Sequence, residues 1–447
     1  MMTRVQTKLG TIRGSRQNNY DVFKGIPYAQ PPIGQNRFRH AQPITHAWLG
    51  ERDATQFSPI PIQPVNTLES FFSVKNRVHL QDEDCLTLNI WRPHNIRSDQ
   101  PLPVIFYLYG GSFVNGHSAQ DLYQPDAIVQ QEPVIVVTCN YRLGALGFLD
   151  WSAICPSWDA NNGLSDQRCA LQWIHDYIAA FGGDPTRITL MGQSAGAMSI
   201  QALLQQSDVA PLVNNAVMLS GTLQPDTVEQ ARRKAHEFQA LKSRMFPDIP
   251  WEALSSESIL TLMSAHQEQY GKSKGLELLY QPTATPQMPM TPYAVLPCPV
   301  WMGVTTAEGD IYIKNEHKKL TPTQFQKVVT RAGLKVLKAD DIETAQQQRD
   351  YITQHYFLEP FQTYVKTMQS HTDLYTYQFD WSHLTHPLYD SAYHILDVAF
   401  WFGRLDIIAA QGADVNAHEY HLSQRMIHDL CTFAYTSQLQ SLHIEYR

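Results

Sequence analysis

Apolar runs of strand length recur along the chain, separated by stretches with helical spacing. Leu86-Thr-Leu-Asn-Ile-Trp91 alternates, with Leu86, Leu88 and Ile90 on one face, which predicts a strand. Val104–Tyr109 and Val134–Thr138 are near-continuous apolar runs, the pattern of strands covered on both faces. Ile188–Met191, Ala216–Leu219, Val300–Val304 and Leu374–Phe379 continue the series. Between strands, Ala170–Phe181 puts Leu171, Ile174, Ile178 and Phe181 on one stripe and stops at Gly182-Gly183-Asp184-Pro185, which predicts an amphipathic helix. This alternation predicts an α/β fold around a mostly parallel sheet. Residues 225–295 and 315–370 are more polar and helical in character and read as excursions over the sheet. The expectation is a single domain over 1–447.

One of these runs carries candidate chemistry. Ile188-Thr-Leu-Met-Gly-Gln-Ser194-Ala-Gly196 runs from a strand through Gly-x-Ser-x-Gly into small helix-forming residues. That pattern predicts a nucleophile elbow, a turn so tight that Gly192 and Gly196 have no room for a β-carbon and the serine backbone is strained. The strain lifts the Ser194 hydroxyl to a helix N-terminus, where developing negative charge is favoured. A serine needs a base, an orienter for it and donors for the oxyanion. In an α/β-hydrolase these follow in the order Ser, acid, His, on loops at strand C-terminal ends. Glu308 lies just past the Val300–Val304 run, with Asp310 and Glu316 as nearby rivals, and His394 follows Leu374–Phe379. Gly110-Gly111-Ser112-Phe113 follows Val104–Tyr109 and can aim backbone N–H groups at a bound oxygen.

Composition narrows the alternatives. With 43% hydrophobic and 17% charged residues, the chain is an ordinary globular one, and a net charge of −8 without a Lys/Arg cluster argues against nucleic acid as a partner. Met1-Met-Thr-Arg-Val lacks a signal-peptide core, and no window is apolar enough for a membrane span. The six cysteines show no metal or redox spacing, so a reduced, cytoplasmic protein is expected. His383/His386 and His418/His421 have an i, i+3 spacing that zinc sites use, but neither pair has a third ligand in sequence. No metal and no cofactor are expected.

Further blocks carry a resemblance. Phe23-Lys-Gly-Ile-Pro-Tyr-Ala29, Glu83-Asp-Cys-Leu-Thr-Leu-Asn89, Asn140-Tyr-Arg-Leu-Gly-Ala-Leu-Gly-Phe148, Gly163-Leu-Ser-Asp-Gln167 and Phe181-Gly-Gly-Asp-Pro185 stand in order ahead of the elbow. From about Val5 to Thr436 the chain resembles the type-B carboxylesterase/lipase family. The resemblance implies an α/β-hydrolase fold, a central mostly parallel twisted sheet flanked by helices with helical excursions over the active site. It implies Ser194 as nucleophile, Glu308 as acid and His394 as base, with the N–H groups of Gly111, Ser112 and Ala195 as oxyanion hole. It also implies ion pairs Arg37–Glu83 and Arg142–Asp166, and a structural or supporting role for Ser220.

Three departures stand out. Ser112 occupies a position where the family carries glycine or alanine. Cys85 lacks the upstream partner of secreted relatives and is expected as a free thiol. The family's Trp-containing terminal segment is missing after Thr436. The implied activity is hydrolysis of small carboxylic esters of short to medium acyl chain through an acyl-enzyme. No tryptophan stands just ahead of Glu83 to bind a quaternary ammonium, so choline esters are not the expected substrate. Amide, carbamate or lactone hydrolysis could use the same groups, and the family also holds catalytically dead binding proteins, which have lost triad residues. A monomer or weak homo-oligomer is expected.

Overall fold

Each apolar run read as a strand lies in one sheet. The computed structural model describes residues 1–447 apart from 67, 75, 76, 95, 98, 272–275, 335–341, 371, 372 and 384. The strands are β1 Met2–Thr7, β2 Gly10–Arg16, β3 Tyr20–Pro27, β4 Glu51–Asp53, β5 Thr87–Pro93, β6 Leu102–Leu108, β7 Ile135–Cys139, β8 Gly183–Gln193, β9 Asn215–Leu219, β10 Val300–Thr305, β11 Leu374–Phe379 and β12 His443–Tyr446. Among the described residues the order is β1-β2-β3-β5-β7-β6-β8-β9-β10-β11-β12, with β4 on β2. From β7 to β12 every neighbouring pair is parallel, whereas β1, β2, β3, β5 and β7 pair antiparallel in turn. The central strands β6, β7 and β9 are buried along nearly their whole length, which is why they read as continuous apolar runs.

The antiparallel edge carries a weaker signal. β1 alternates perfectly between exposed and buried, but two of its three inward residues are Thr3 and Thr7. Their hydroxyls are satisfied inside, Thr3 on the Asp21 carboxylate at 3.1 Å and Thr7 on the Gly10 carbonyl at 2.9 Å. Alternation by hydrophobicity therefore fails although alternation by burial holds. At the other edge, β12 adds to β11 and buries Tyr446.

The predicted helix at Ala170–Phe181 runs from Asn162 to Tyr177 and then tightens into a 3-10 turn, Ile178–Phe181. Its first turns were not legible because they bury polar residues, Asp166 and Gln167 among them. Asp166 faces Arg142 through three oxygen–nitrogen contacts of 2.6–3.2 Å and also accepts the Arg142 N–H at 2.9 Å. The Arg37–Glu83 pair forms as well, two-pronged at 2.7 Å each. Both expected pairs therefore exist, and breaking such a buried pair leaves an uncompensated charge costing about 3–5 kcal/mol.

Within 225–295 lie the helices Val228–Met245 and Ser256–Tyr270, and within 315–370 lie Pro322–Arg331, Ala345–Ile352 and Glu359–Met368. The second group has its own small core around Phe325, Val329 and Ile352. Between its last two helices the backbone widens into a π turn, Thr353–Leu358. Pro360 has no N–H to give the Tyr356 carbonyl, which accounts for the loosened turn.

Candidate active site

Four loops leaving the C-terminal ends of parallel strands converge on one place, where ligands bind in open α/β sheets. After β8, Ser194 adopts φ 54° and ψ −118°, the strained left-handed conformation predicted for an elbow. The reason is crowding. A β-carbon on Gly196 would lie 1.9 Å from the Leu108 carbonyl oxygen, and one on Gly192 would lie 2.6 Å from the Gly196 carbonyl carbon. Ser194 thus caps the helix Ala195–Leu203, with its own N–H given to the Leu219 carbonyl at 2.8 Å.

After β10, Glu308 is fully buried in a short turn. Its Oε1 accepts the Thr305 N–H at 2.8 Å, and its Oε2 lies 2.6 Å from Nδ1 of His394, 86 positions away in the chain. The rival acids point elsewhere: Asp310 lies 3.6 Å from Arg349 and Glu316 pairs with Lys319 at 2.7 Å. On the far side of the ring, Nε2 of His394 lies 3.0 Å from the Gln193 side-chain Nε2. An amide nitrogen only donates, so Nε2 must accept, and the ring proton sits on Nδ1 facing Glu308. Nε2 of His394 therefore faces Gln193, the residue before the Ser194 elbow. Among the described residues no hydrogen bond yet joins it to the Ser194 hydroxyl; such contacts often tighten only when substrate binds. Gln193 was not singled out in the sequence, because the middle positions of Gly-x-Ser-x-Gly look unconstrained.

After β6, Gly111, Ser112 and Phe113 all have positive φ, at 122°, 56° and 61°. The turn is closed by the Val114 and Asn115 N–H groups, both 3.0 Å from the Gly111 carbonyl. Among the described residues, the N–H groups of Gly111, Ser112 and Ala195 donate to no protein acceptor. Ser112 thus keeps the left-handed conformation suited to glycine and carries a strain of about 1–3 kcal/mol. Gly111, Ser112, Ser194 and His394 line one cavity of about 630 Å³, walled by Leu68, Phe72 and Tyr312 among others.

The model of the carboxylesterase family matches residues 2–443. The para-nitrobenzyl esterase of Bacillus subtilis (strain 168) is 32% identical over 446 residues, 97% of this chain and 89% of that protein. The phenmedipham hydrolase of Pseudarthrobacter oxydans is 39% identical over 277 residues, 59% of this chain and 53% of that one. A solved PNB esterase superposes with TM-score 0.88 at 29% identity, covering 100% of this chain and 96% of that one.

The chain belongs to the carboxylesterase family.

It has the α/β-hydrolase fold and is a serine esterase that hydrolyses carboxylic esters, with small esters as substrates. Among the described residues no helix is long and apolar enough to cross a membrane. None of the six cysteines, Cys85 included, is in a disulfide. This carboxylesterase also wraps His394 in aromatic rings, Phe357 from the π turn at 4.8 Å and Tyr312 at 5.9 Å between centroids. Ser220 sits at φ 51° with its hydroxyl buried and unpartnered. His383 and His386 have ring centroids 6.1 Å apart, and neither predicted histidine pair falls in a group of three ligating residues among the described ones.

Asp397, three residues after the histidine, is fully buried and accepts from Tyr377 at 2.7 Å and Trp401 at 3.3 Å. Burial, reinforced by the Glu308 charge, pushes its carboxyl from 3.8 up to about 6. A value raised on folding means the native state holds that proton more tightly, so this group disfavours folding increasingly as pH rises from about 4 to about 6. Asp397→Asn lacks that dependence. Relative to the parent, its unfolding free energy should move in its favour by about 3 kcal/mol between pH 3.5 and pH 7.5. Denaturant titrations at the two pH values check this, and parallel behaviour of the two proteins would contradict it.

Proposed function

We propose that Ser194, His394 and Glu308 form the catalytic triad, that Gly111, Ser112 and Ala195 form the oxyanion hole, and that the preferred esters have short to medium acyl chains. The observation carrying this reading is the strained Ser194 beside a histidine whose Nδ1 faces Glu308, in a cavity also lined by Gly111 and Ser112, whose N–H groups are idle. On substrate binding, Nε2 of His394 exchanges Gln193 for the Ser194 hydroxyl. It takes the hydroxyl proton as Oγ attacks the ester carbonyl carbon. The carbonyl oxygen becomes an oxyanion held by the three N–H groups, each donor being worth about 10²–10³ in rate. Glu308 stabilises the imidazolium. The tetrahedral intermediate collapses, the C–O bond to the alcohol breaks, and His394 gives the leaving oxygen its proton. A water then loses a proton to His394, attacks the acyl-enzyme and releases the acid, returning the proton to Ser194.

The cavity size falls in the range of small-ligand sites and supports a modest acyl group. The Ser112 side chain supports the same limit, because it stands beside the carbonyl-binding turn. We read the triad and its excursions as one hydrolase domain over 1–447, and the disulfide-free cysteines support a cytoplasmic setting.

A series of para-nitrophenyl esters from acetate through butyrate and octanoate to palmitate tests the reading. The highest kcat/KM is expected at octanoate or shorter. Ser112→Gly should raise the octanoate rate relative to acetate, since glycine keeps the left-handed turn and removes the side chain. A maximum at palmitate would overturn the acyl preference.

A further inference from the structure

Three residues from separate segments meet behind the wall of the cavity. Glu69 lies in the short turn Glu69–Phe72, His79 ten residues further on, and His117 follows Gly116 in the loop beyond the oxyanion turn. One ligating atom from each lies within 4.8 Å of the other two. His117 is 1% exposed, with Nε2 2.9 Å from Glu69 Oε1 and Nδ1 meeting no protein group. A buried ring with an idle nitrogen is costly unless something uses it, and an ion is one such use. The His79 ring packs against it with centroids 4.7 Å apart.

We propose that Glu69, His79 and His117 bind one Zn²⁺ ion, with water completing the coordination, and that the metal clamps Glu69 and His79 onto the loop at 117. Two imidazoles and a carboxylate are a donor set that zinc favours. Tetrahedral zinc with bonds of about 2.0–2.1 Å sets its ligating atoms about 3.3 Å apart, so the present cluster needs to contract only slightly. Around His79, Asp121 contributes negative charge and Arg77 positive charge. Leu68 and Phe72, on either side of Glu69, line the cavity that holds Ser194. The clamp would therefore set the position of that wall. The proposal does not depend on the roles given to Ser194, Glu308 or His394.

Calorimetric titration of Zn²⁺ into the EDTA-stripped, dialysed full chain tests it. About one ion per chain is expected. Affinity should fall at least tenfold in His79→Asn and in Glu69→Gln, and stay unchanged in the double variant His383→Asn, His386→Asn. His79 is half-buried, so its replacement removes a ligand without opening the core, and far-UV circular dichroism of each variant reports that it has folded. Zn²⁺ should also raise the Tm of the parent but not of His79→Asn. Absence of binding, undiminished affinity in both ligand variants, or affinity lost only in the His383/His386 variant would overturn the proposal.

Discussion

Ser194→Ala is expected to lower kcat for para-nitrophenyl butyrate by about 10⁴–10⁶-fold while leaving Tm essentially unchanged. The size of the loss follows from the proposed triad, whose groups would act as a unit, so that removal of its nucleophile alone would forfeit nearly all of their joint effect. The unchanged stability follows from the structure. Among the described residues the Ser194 hydroxyl takes part in no hydrogen bond, so the substitution leaves no buried partner unsatisfied. Alanine meets the same strained φ of 54° with the same β-carbon. The variant should also fail to label with a fluorophosphonate probe. Persistent labelling would place the nucleophile elsewhere.

Among the described glycines, Gly196→Ala should be the most damaging added methyl group. Its β-carbon would sit 1.9 Å from the Leu108 carbonyl oxygen, 2.7 Å from the Leu108 carbonyl carbon and 3.0 Å from the Tyr109 oxygen. All three are backbone atoms at the buried end of a central strand, so no side chain can swing aside. The helix must lift away from β6, which also carries the Gly110–Ser112 turn. We expect a loss of about 4 kcal/mol or more, in the range reserved for gross overpacking. Whatever folds should turn over more slowly, because elbow and oxyanion turn no longer keep their separation. Gly34→Ala is the control: unlike Gly196, Gly34 has positive φ, 56°, yet its β-carbon would meet nothing within 4 Å. That variant should lose only about 1 kcal/mol, the left-handed penalty alone. Equal losses in the two variants would refute the steric account of the elbow.

Much of the scaffold was legible because its signals are short-range. β11 matches its apolar run to the residue, and the other predicted parallel strands agree within a few positions, except that β8 begins five residues ahead of its run, while β12 had no predicted run. The antiparallel edge was not legible, because β1 turns threonines inward and satisfies them with hydrogen bonds. The first turns of the helix Asn162–Tyr177 escaped for a related reason. They are buried through the Arg142–Asp166 pair, and an apolar stripe is the wrong thing to look for there. Around the site, the elbow could be read directly, whereas Gln193, Phe357 and Asp397 became visible only as neighbours of His394. The cluster of Glu69, His79 and His117 had no sequence signature either. Its members are far apart in the chain, while the close histidine pairs at 383/386 and 418/421 belong to no such group among the described residues.

By itself, the sequence determined the α/β alternation, the strands around the parallel centre of the sheet and the location of a strained serine. These depend on interactions within a strand, a turn or a helix, where spacing and side-chain size suffice. The tertiary structure brings Glu308 and His394, 86 residues apart, into contact, and it alone decided that Gln193, 201 residues from His394, holds its other nitrogen. It also decided that Ser112 keeps a glycine-like backbone and that three N–H groups are left idle beside Ser194. Such contacts depend on where the sheet order brings loop ends together. No local pattern of residues encodes that distance, because it is set by the packing of the whole sheet.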